Sequence, residues 1–211
     1  MKTLAFIGFG ALGRQMLGLM GERCAPGRVV RFDDGLQGKG AEESFPFEAF
    51  LDAKFADAEF FVALGYRHLP LKVEILRRLR AAGRRVPAWA HPSCQVAPTA
   101  RLGDGSFLFP LCNVDQEAEC GAGVLLHNSV VVSHGARIGD AAYLSPGVVL
   151  SGQVTIGEAA FLGSGTVVAN GRTIGARARV GLASAVTRDL PDGASAIGNP
   201  LRLLERPLEL E

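Results

Sequence analysis

The stretch VVVSHGARIGDAAYLSPGVVLSGQVTIG, residues 130–157, places an aliphatic side chain at every sixth position: Val132, Ile138, Leu144, Leu150 and Ile156. The register runs back through Cys120, Val114, Leu108, Leu102 to Val96, and forward through Leu162, Val168, Ile174, Val180 to Val186, with no insertion. A period of six belongs neither to a helix nor to a simple half-buried strand. It fits a three-sided prism in which each flat face takes six residues and residues eighteen apart stack.

Two places before each register position the side chain is small, as at Cys94, Ala100, Ser106, Cys112, Ala118, Ala136, Ala142 and Ala160, or is valine, as at Val124, Val130, Val148 and Val154; Arg172 is the exception. Glycine often follows the aliphatic residue, in Leu102-Gly103, Ile138-Gly139, Ile156-Gly157 and Ile174-Gly175, where corners need permissive residues. Parallel strands buried on the inside explain the Val/Ile/Leu preference. With coils about 4.8 Å apart, the repeat predicts about five coils.

Residues 1–90 follow another rule. Strand-like 3–7, a glycine turn, helical 14–22, strands at 28–32 and 59–64 and a helix at 69–82 make a small Rossmann-like βαβ domain, before a β-helix over 91–211. Leu71, Ile75, Leu76 and Leu79 suit the buried face of the second helix. Gly8-Phe9-Gly10-Ala11-Leu12-Gly13 follows a strand and opens a helix, and Asp33-Asp34 ends the next strand. That is a dinucleotide fingerprint in outline, but fewer than 95 residues supply only one mononucleotide half. The glycine loop is therefore expected to cradle a diphosphate, with Asp33 or Asp34 on the nucleoside and Gly65 at the same sheet edge.

Lys and Arg (22) nearly cancel Asp and Glu (21), so no general attraction to nucleic acid or an anionic membrane is expected. The hydrophobic content of 48% supplies a core without any membrane-length apolar run, and the first apolar run is too short for a signal. Cys24, Cys94, Cys112 and Cys120 lack CxxC spacing, read as small core residues and point to a reducing cytoplasm.

The hexapeptide pattern, with Gly139-Asp140, Ser145-Pro146-Gly147, Ser151-Gly152-Gln153-Val154-Thr155-Ile156-Gly157 and Ala196-Ile197-Gly198-Asn199-Pro200, resembles the left-handed β-helix acyltransferases, and most of all the NeuD/PglD-like sugar O- and N-acyltransferases. The resemblance supplies the left-handed sense, since general crossover rules favour the other. It implies a homotrimer that transfers an acyl group, acetyl in the first instance, from acyl-CoA to an amine or hydroxyl of a nucleotide sugar in glycan biosynthesis. It also makes nucleotide-sugar binding the reading of Gly8, Gly10, Gly13, Asp33, Asp34 and Gly65.

Acyl transfer needs a base and a donor to the developing oxyanion. His134 matches the family's catalytic histidine, and eighteen residues on, Gly152 matches the glycine whose N–H faces the thioester; a solvated imidazole and a corner glycine are the plain alternatives. The resemblance places Tyr143, Ser164 and Leu182 along the acyl carrier, with Arg172, Arg177 and Arg179 as cations for its phosphates, and His127 near the acceptor sugar. Gly135 stands where the family carries an acid after the histidine, so by stacking Asp115 or Gln116 is expected to hold the imidazole instead. No metal is expected: the zinc-dependent γ-carbonic anhydrases that share this repeat use three histidines, and His127 and His134 are the only ones in the repeat region. A trimeric scaffold that binds a nucleotide sugar without catalysis is the alternative, and the sugar, its nucleotide and the choice between nitrogen and oxygen stay open.

Overall fold

In a computed structural model the described residues are 2–21, 27–36 and 43–209, and the chain divides into two compact units, Met1–Pro87 and Ala88–Glu211. The expectations for Cys24 and for helix at residue 22 lie outside the described residues.

The first unit is built on β1 (Thr3–Ile7), α1 (Ala11–Gly21), β2 (Arg28–Phe32), β3 (Ser44–Phe45), β4 (Glu59–Val62) and α2 (Leu69–Ala81). All four strands are parallel, in the order β3-β2-β1-β4, a pairing whose hidden strands require nearly unbroken apolar runs. Phe32 is the centre of the core, edge-on to Phe55 at 4.9 Å and packed with Val30, Phe50, Phe60, Ile75 and Leu79. The short strand β3 carries no alternation, and nothing in the sequence reading anticipated it. On α2 the expected Ile75, Leu76 and Leu79 are buried and half-buried Leu71 packs against the same core, while Leu69, Lys72 and Val73 are buried as well. The spacing from Leu69 sets that face and draws Lys72 inside, where burial pushes its ammonium down to about 8.

The second unit is a parallel β-solenoid with three faces, made of two-residue strands except for the three-residue Ser195–Ile197. The first face carries Trp89–Ala90, Phe107–Leu108, Leu125–Leu126, Tyr143–Leu144, Phe161–Leu162, Arg179–Val180 and Ser195–Ile197, with Arg202–Leu203 added antiparallel. The second runs from Gln95–Val96 to Ala185–Val186 in six strands, and the third from Arg101–Leu102 to Thr173–Ile174 in five. Pairing is at the eighteen-residue step from Trp89 to Val186, as in Val131 against Val149 and Val132 against Leu150, and shortens to sixteen at the last rung, where Arg179 pairs with Ser195. The column has about six turns, because Trp89–Ala90 and Ser195–Ile197 add rungs outside the Val96-to-Val186 register.

From Leu108 onward every register residue is at most 4% exposed, while Val96 is 36% exposed because it belongs to the first rungs, which have no coil beneath them. Buried Ser106 and Thr166 at the small positions donate their hydroxyls to the carbonyls of Gly121 and Gly181, so no polar atom is stranded there. Arg172 turns outward and pairs with Asp189 at 3.6 Å. The glycine after each third-face strand is a packing requirement: a Cβ on Gly139 would lie 2.6 Å from the Glu158 amide nitrogen in the next coil. Among the described residues no helix is long and apolar enough to cross a membrane.

Leu144, fully buried at mid-column, tests the register. Leu144→Ala is expected to cost about 2–5 kcal/mol of unfolding free energy by denaturant titration, against less than about 0.5 kcal/mol for the outward Thr155→Ala.

Candidate active site

Successive coils bring Gln116, His134, Gly152 and Asn170 into one column at the corner between the second and third faces. The backbone ladder fixes this stack: the Gly135 amide donates to the Gln116 carbonyl at 3.0 Å, Gln153 to His134 at 2.9 Å, and Gly171 to Gly152 at 2.9 Å. Each donor sits in the left-handed region, with φ of 63° at Gly135, 58° at Gln153 and 66° at Gly171. Ser151 and Gln153 both donate to neighbouring coils, whereas the Gly152 N–H between them has no partner among the described residues.

His134 is exposed, and its imidazole lies across the bare Cα of Gly152: a Cβ there would stand 2.5 Å from Cε1 and 2.6 Å from Nε2. The same point is 2.9 Å from Asn170 Oδ1, in the coil above. Asn170 was missed by the sequence reading, although one further eighteen-residue step from Gly152 reaches it. The expectation that Asp115 or Gln116 holds the imidazole fails, because Asp115 Oδ1 accepts the Gln116 amide at 2.7 Å and neither side chain bonds His134. Beside Gly135 the space is occupied by Gln153, whose Cγ is 3.5 Å from where a Cβ would be.

His127 and Tyr143 lie together elsewhere, on the first face, with ring centroids 6.4 Å apart. His127 stacks on Phe109 at 4.3 Å, its Nδ1 is 2.7 Å from Asn128 Oδ1, and its carbonyl accepts the Cys112 thiol at 3.1 Å. Burial lowers the His127 pKa against the raising effect of Asn128. Ser164 and Leu182 are exposed one coil apart at the corner between the first and second faces. The second face therefore separates them from His134, and its outward side chains there are Val131, Val149 and Val167, the last 46% exposed.

Two of the three expected phosphate cations are engaged: Arg179 Nη1 donates to the Leu208 carbonyl at 3.0 Å and Arg172 is held by Asp189. Arg177 is exposed. Cys94 and Cys112 stack in the column interior, and burial pushes the Cys120 thiol up to about 12. No group of three or more His, Cys, Asp or Glu suited to a metal occurs among the described residues.

In the first unit, Gly8, Gly10 and Gly13 form the turn from β1 into α1. Gly13 packs against its start, since a Cβ would lie 2.9 Å from the Gly8 carbonyl, whereas Gly10 faces open space. Asp33 closes this loop: its Oδ2 accepts the Phe9 amide at 2.7 Å and its Oδ1 the Gly35 amide at 2.9 Å. Asp34 accepts the Phe47 amide at 2.9 Å, so the two acids brace different loops. Arg31 lies over the Phe9 ring at 4.8 Å, and Gly65 follows β4 at the same sheet edge.

No protein-family model matches the sequence, and no curated protein matches it. Solved structures do. The acetyltransferase domain of PglB from Neisseria gonorrhoeae FA1090 is similar at a TM-score of 0.88 and 27% identity, over 97% of this chain and 100% of that one. PerB from Caulobacter crescentus, solved with CoA and GDP-perosamine, is similar at a TM-score of 0.86 and 29% identity, over 97% of each chain. This chain has the architecture of the left-handed β-helix sugar acetyltransferases. WeeI from Acinetobacter baumannii AYE, at 21% identity and a TM-score of 0.82 over 96% of this chain and 100% of that one, shares the fold. The similarity to the PglB domain, over 97% of this chain, takes in residues of both units.

The lowered His127 pKa carries a stability signature. At pH below the ordinary histidine value of about 6.5 the unfolded chain takes up a proton that folded His127 resists, so its contribution is present above that pH and is lost as pH falls. Between about pH 7.5 and about pH 5.5, His127→Asn should lose less Tm than the parent chain in parallel thermal melts.

Proposed function

We propose that the chain is an acyl-CoA-dependent sugar acyltransferase, carrying an acetyl group from acetyl-CoA to an amine or hydroxyl of a nucleotide-activated sugar in glycan biosynthesis. The observation that carries the reading is the imidazole edge of His134 over Gly152, whose own N–H the fold leaves unused. A base and an oxyanion donor at one spot are what acyl transfer requires. PerB, similar over its whole length, was solved with CoA and GDP-perosamine, which favours catalysis over a binding scaffold.

His134 Nε2 takes the acceptor proton as the acceptor attacks the thioester carbonyl. The Gly152 N–H donates to the oxygen as it gains charge, the C–S bond breaks, and the imidazolium returns the proton to the departing CoA thiolate. The glycine loop of the first unit binds the nucleotide: open space over Gly10 admits a diphosphate, and bracing by Asp33 prepares the loop before a ligand arrives. The nucleoside would meet an Asp33 carboxylate whose oxygens already accept backbone amides. His127 is assigned to the acceptor sugar, and Tyr143, Ser164 and Leu182 to the acyl carrier.

A single copy holds these residues on opposite sides of its valine-bearing second face. A cyclic homotrimer resolves this by setting the His134 edge of one column against the Ser164 edge of the next, with Val131, Val149 and Val167 covered between them. A cytoplasmic setting agrees with the free thiols of Cys94, Cys112 and Cys120.

His134→Ala should lower kcat on the order of 10²- to 10⁴-fold with the trimer intact by sedimentation; undiminished turnover would remove the mechanism. Gly152→Ala, at a residue whose φ is not left-handed, should push the imidazole aside and cost on the order of 10²-fold in kcat while Tm holds. Val167→Glu should dissociate the assembly and abolish transfer, and a fully active monomer would contradict the shared site.

A further inference from the structure

Cys94 and Cys112 take no part in the chemistry above. They stand one coil apart in the interior stack of the first rungs, where the Gln95 amide donates to the Cys112 carbonyl at 2.9 Å and Gln95 pairs with Asn113. Stacked coils about 4.8 Å apart set their Cα atoms within the roughly 4.4–6.8 Å that a disulfide spans. The Cys112 thiol has one hydrogen to share among the carbonyls of Leu126 and His127, at 3.6 and 3.1 Å, and the Cys94 sulfur. Donation to Cys94 lowers the Cys94 pKa, and the same contact together with burial raises that of Cys112, so one member of the pair forms a thiolate and the other keeps its proton. When protonated, Cys94 donates to the Phe109 carbonyl at 3.0 Å. Cys94 is also the accessible member: it is half-buried, Cys112 is buried, and it lines a pocket of about 550 Å³ with Gln95, Val96 and Asn113. Its side chain packs against the interior cluster and no coil lies beneath it, so the thiol is reached from the end of the column and not through the second face.

We propose that Cys94 and Cys112 form an oxidation site, which hydrogen peroxide closes into an intrachain disulfide and a thiol reductant reopens. The Cys94 thiolate attacks one peroxide oxygen, forming S–O and breaking O–O; the departing hydroxide takes a proton and leaves as water. The Cys112 sulfur then attacks the sulfenic sulfur of Cys94. S–S forms, S–O breaks, and the Cys112 proton leaves with the second hydroxide as water. The two thiols give up two electrons, and peroxide accepts both. Closure takes the thiol hydrogen away from the His127 carbonyl. His127 is assigned to the acceptor sugar, so oxidation weakens acceptor binding and spares the base at His134. That consequence, unlike the disulfide itself, rests on the acyltransferase reading.

The test treats the full chain with hydrogen peroxide and maps the products by mass spectrometry after digestion at Arg and Glu, which parts all four cysteines. Acceptor KM and kcat are measured before and after, with acetyl-CoA and UDP-, dTDP- and GDP-linked amino sugars. The parent should lose the mass of two hydrogens, carry a cross-link between the Cys94 and Cys112 peptides, and return to its starting mass with dithiothreitol. Acceptor KM should rise roughly twofold to tenfold, as for one lost hydrogen bond, with kcat unchanged. Cys112→Ser leaves Cys94 without a resolving thiol and should stop at a sulfenic acid that dimedone captures. Cys94→Ser, with the hydroxyl that Ser106 carries at the matching position, should turn over as the parent does and hold its KM through peroxide. Oxidation that leaves Cys94 untouched, joins it to Cys24 or Cys120, or runs on to a sulfonic acid without a cross-link would overturn the oxidation site and leave the acyltransferase reading standing. A complete cross-link with acceptor KM unmoved would overturn the link to His127. A parent that forms the cross-link but turns over no nucleotide sugar would sink the acyltransferase reading and keep the site.

Discussion

The hydrogen bond from each coil to the one beneath it is the constraint from which the rest follows. Every rung from Trp89 to Val186 pairs residue n with residue n + 18, so any property of the corner at one level is inherited at the next. The ladder demands two things of the sequence: an aliphatic side chain at a fixed phase to fill the interior, and bare glycine where backbones meet closely. It gives in return a surface on which residues far apart in sequence are fixed neighbours. His134, Gly152 and Asn170 are close because the count allows nothing else.

That regularity explains why the column was so legible in the sequence. The phase of Val132, Ile138 and Leu144 named the interior, and the same arithmetic placed Gly152 over His134. Stopping the arithmetic one coil early hid Asn170. Side-chain direction was not legible: stacking put Asp115 and Gln116 under the imidazole column, but Asp115 turned to its own neighbour's amide. At the ends the repeat loses its aliphatic mark, so Trp89–Ala90 and Ser195–Ile197 were not counted as rungs.

The first unit was legible in outline because glycine punctuation and apolar runs mark a parallel sheet, and β1 and β2 have the expected bounds. Helix faces were less so. A lysine carries a long apolar stem, and on α2 packing took Lys72 inward beside the stripe that the hydrophobic pattern marked. The roles of Asp33 and Asp34 were also underdetermined, since a carboxylate after a strand suits a ribose and a loop amide equally well. In the structure both acids hold loops.

A parallel solenoid has no intrinsic reason to stop, because its final rung presents the same unpaired peptide groups that every earlier rung offered to its successor. On the first face, Arg202–Leu203 runs back against Ser195–Ile197, and the Leu208 amide reaches Ser195 Oγ at 3.0 Å. This reversal turns an edge that would template another parallel coil into one of the wrong polarity. It acts as a terminator of end-to-end growth, so the hairpin's contribution lies in keeping the column finite as much as in the few contacts it adds.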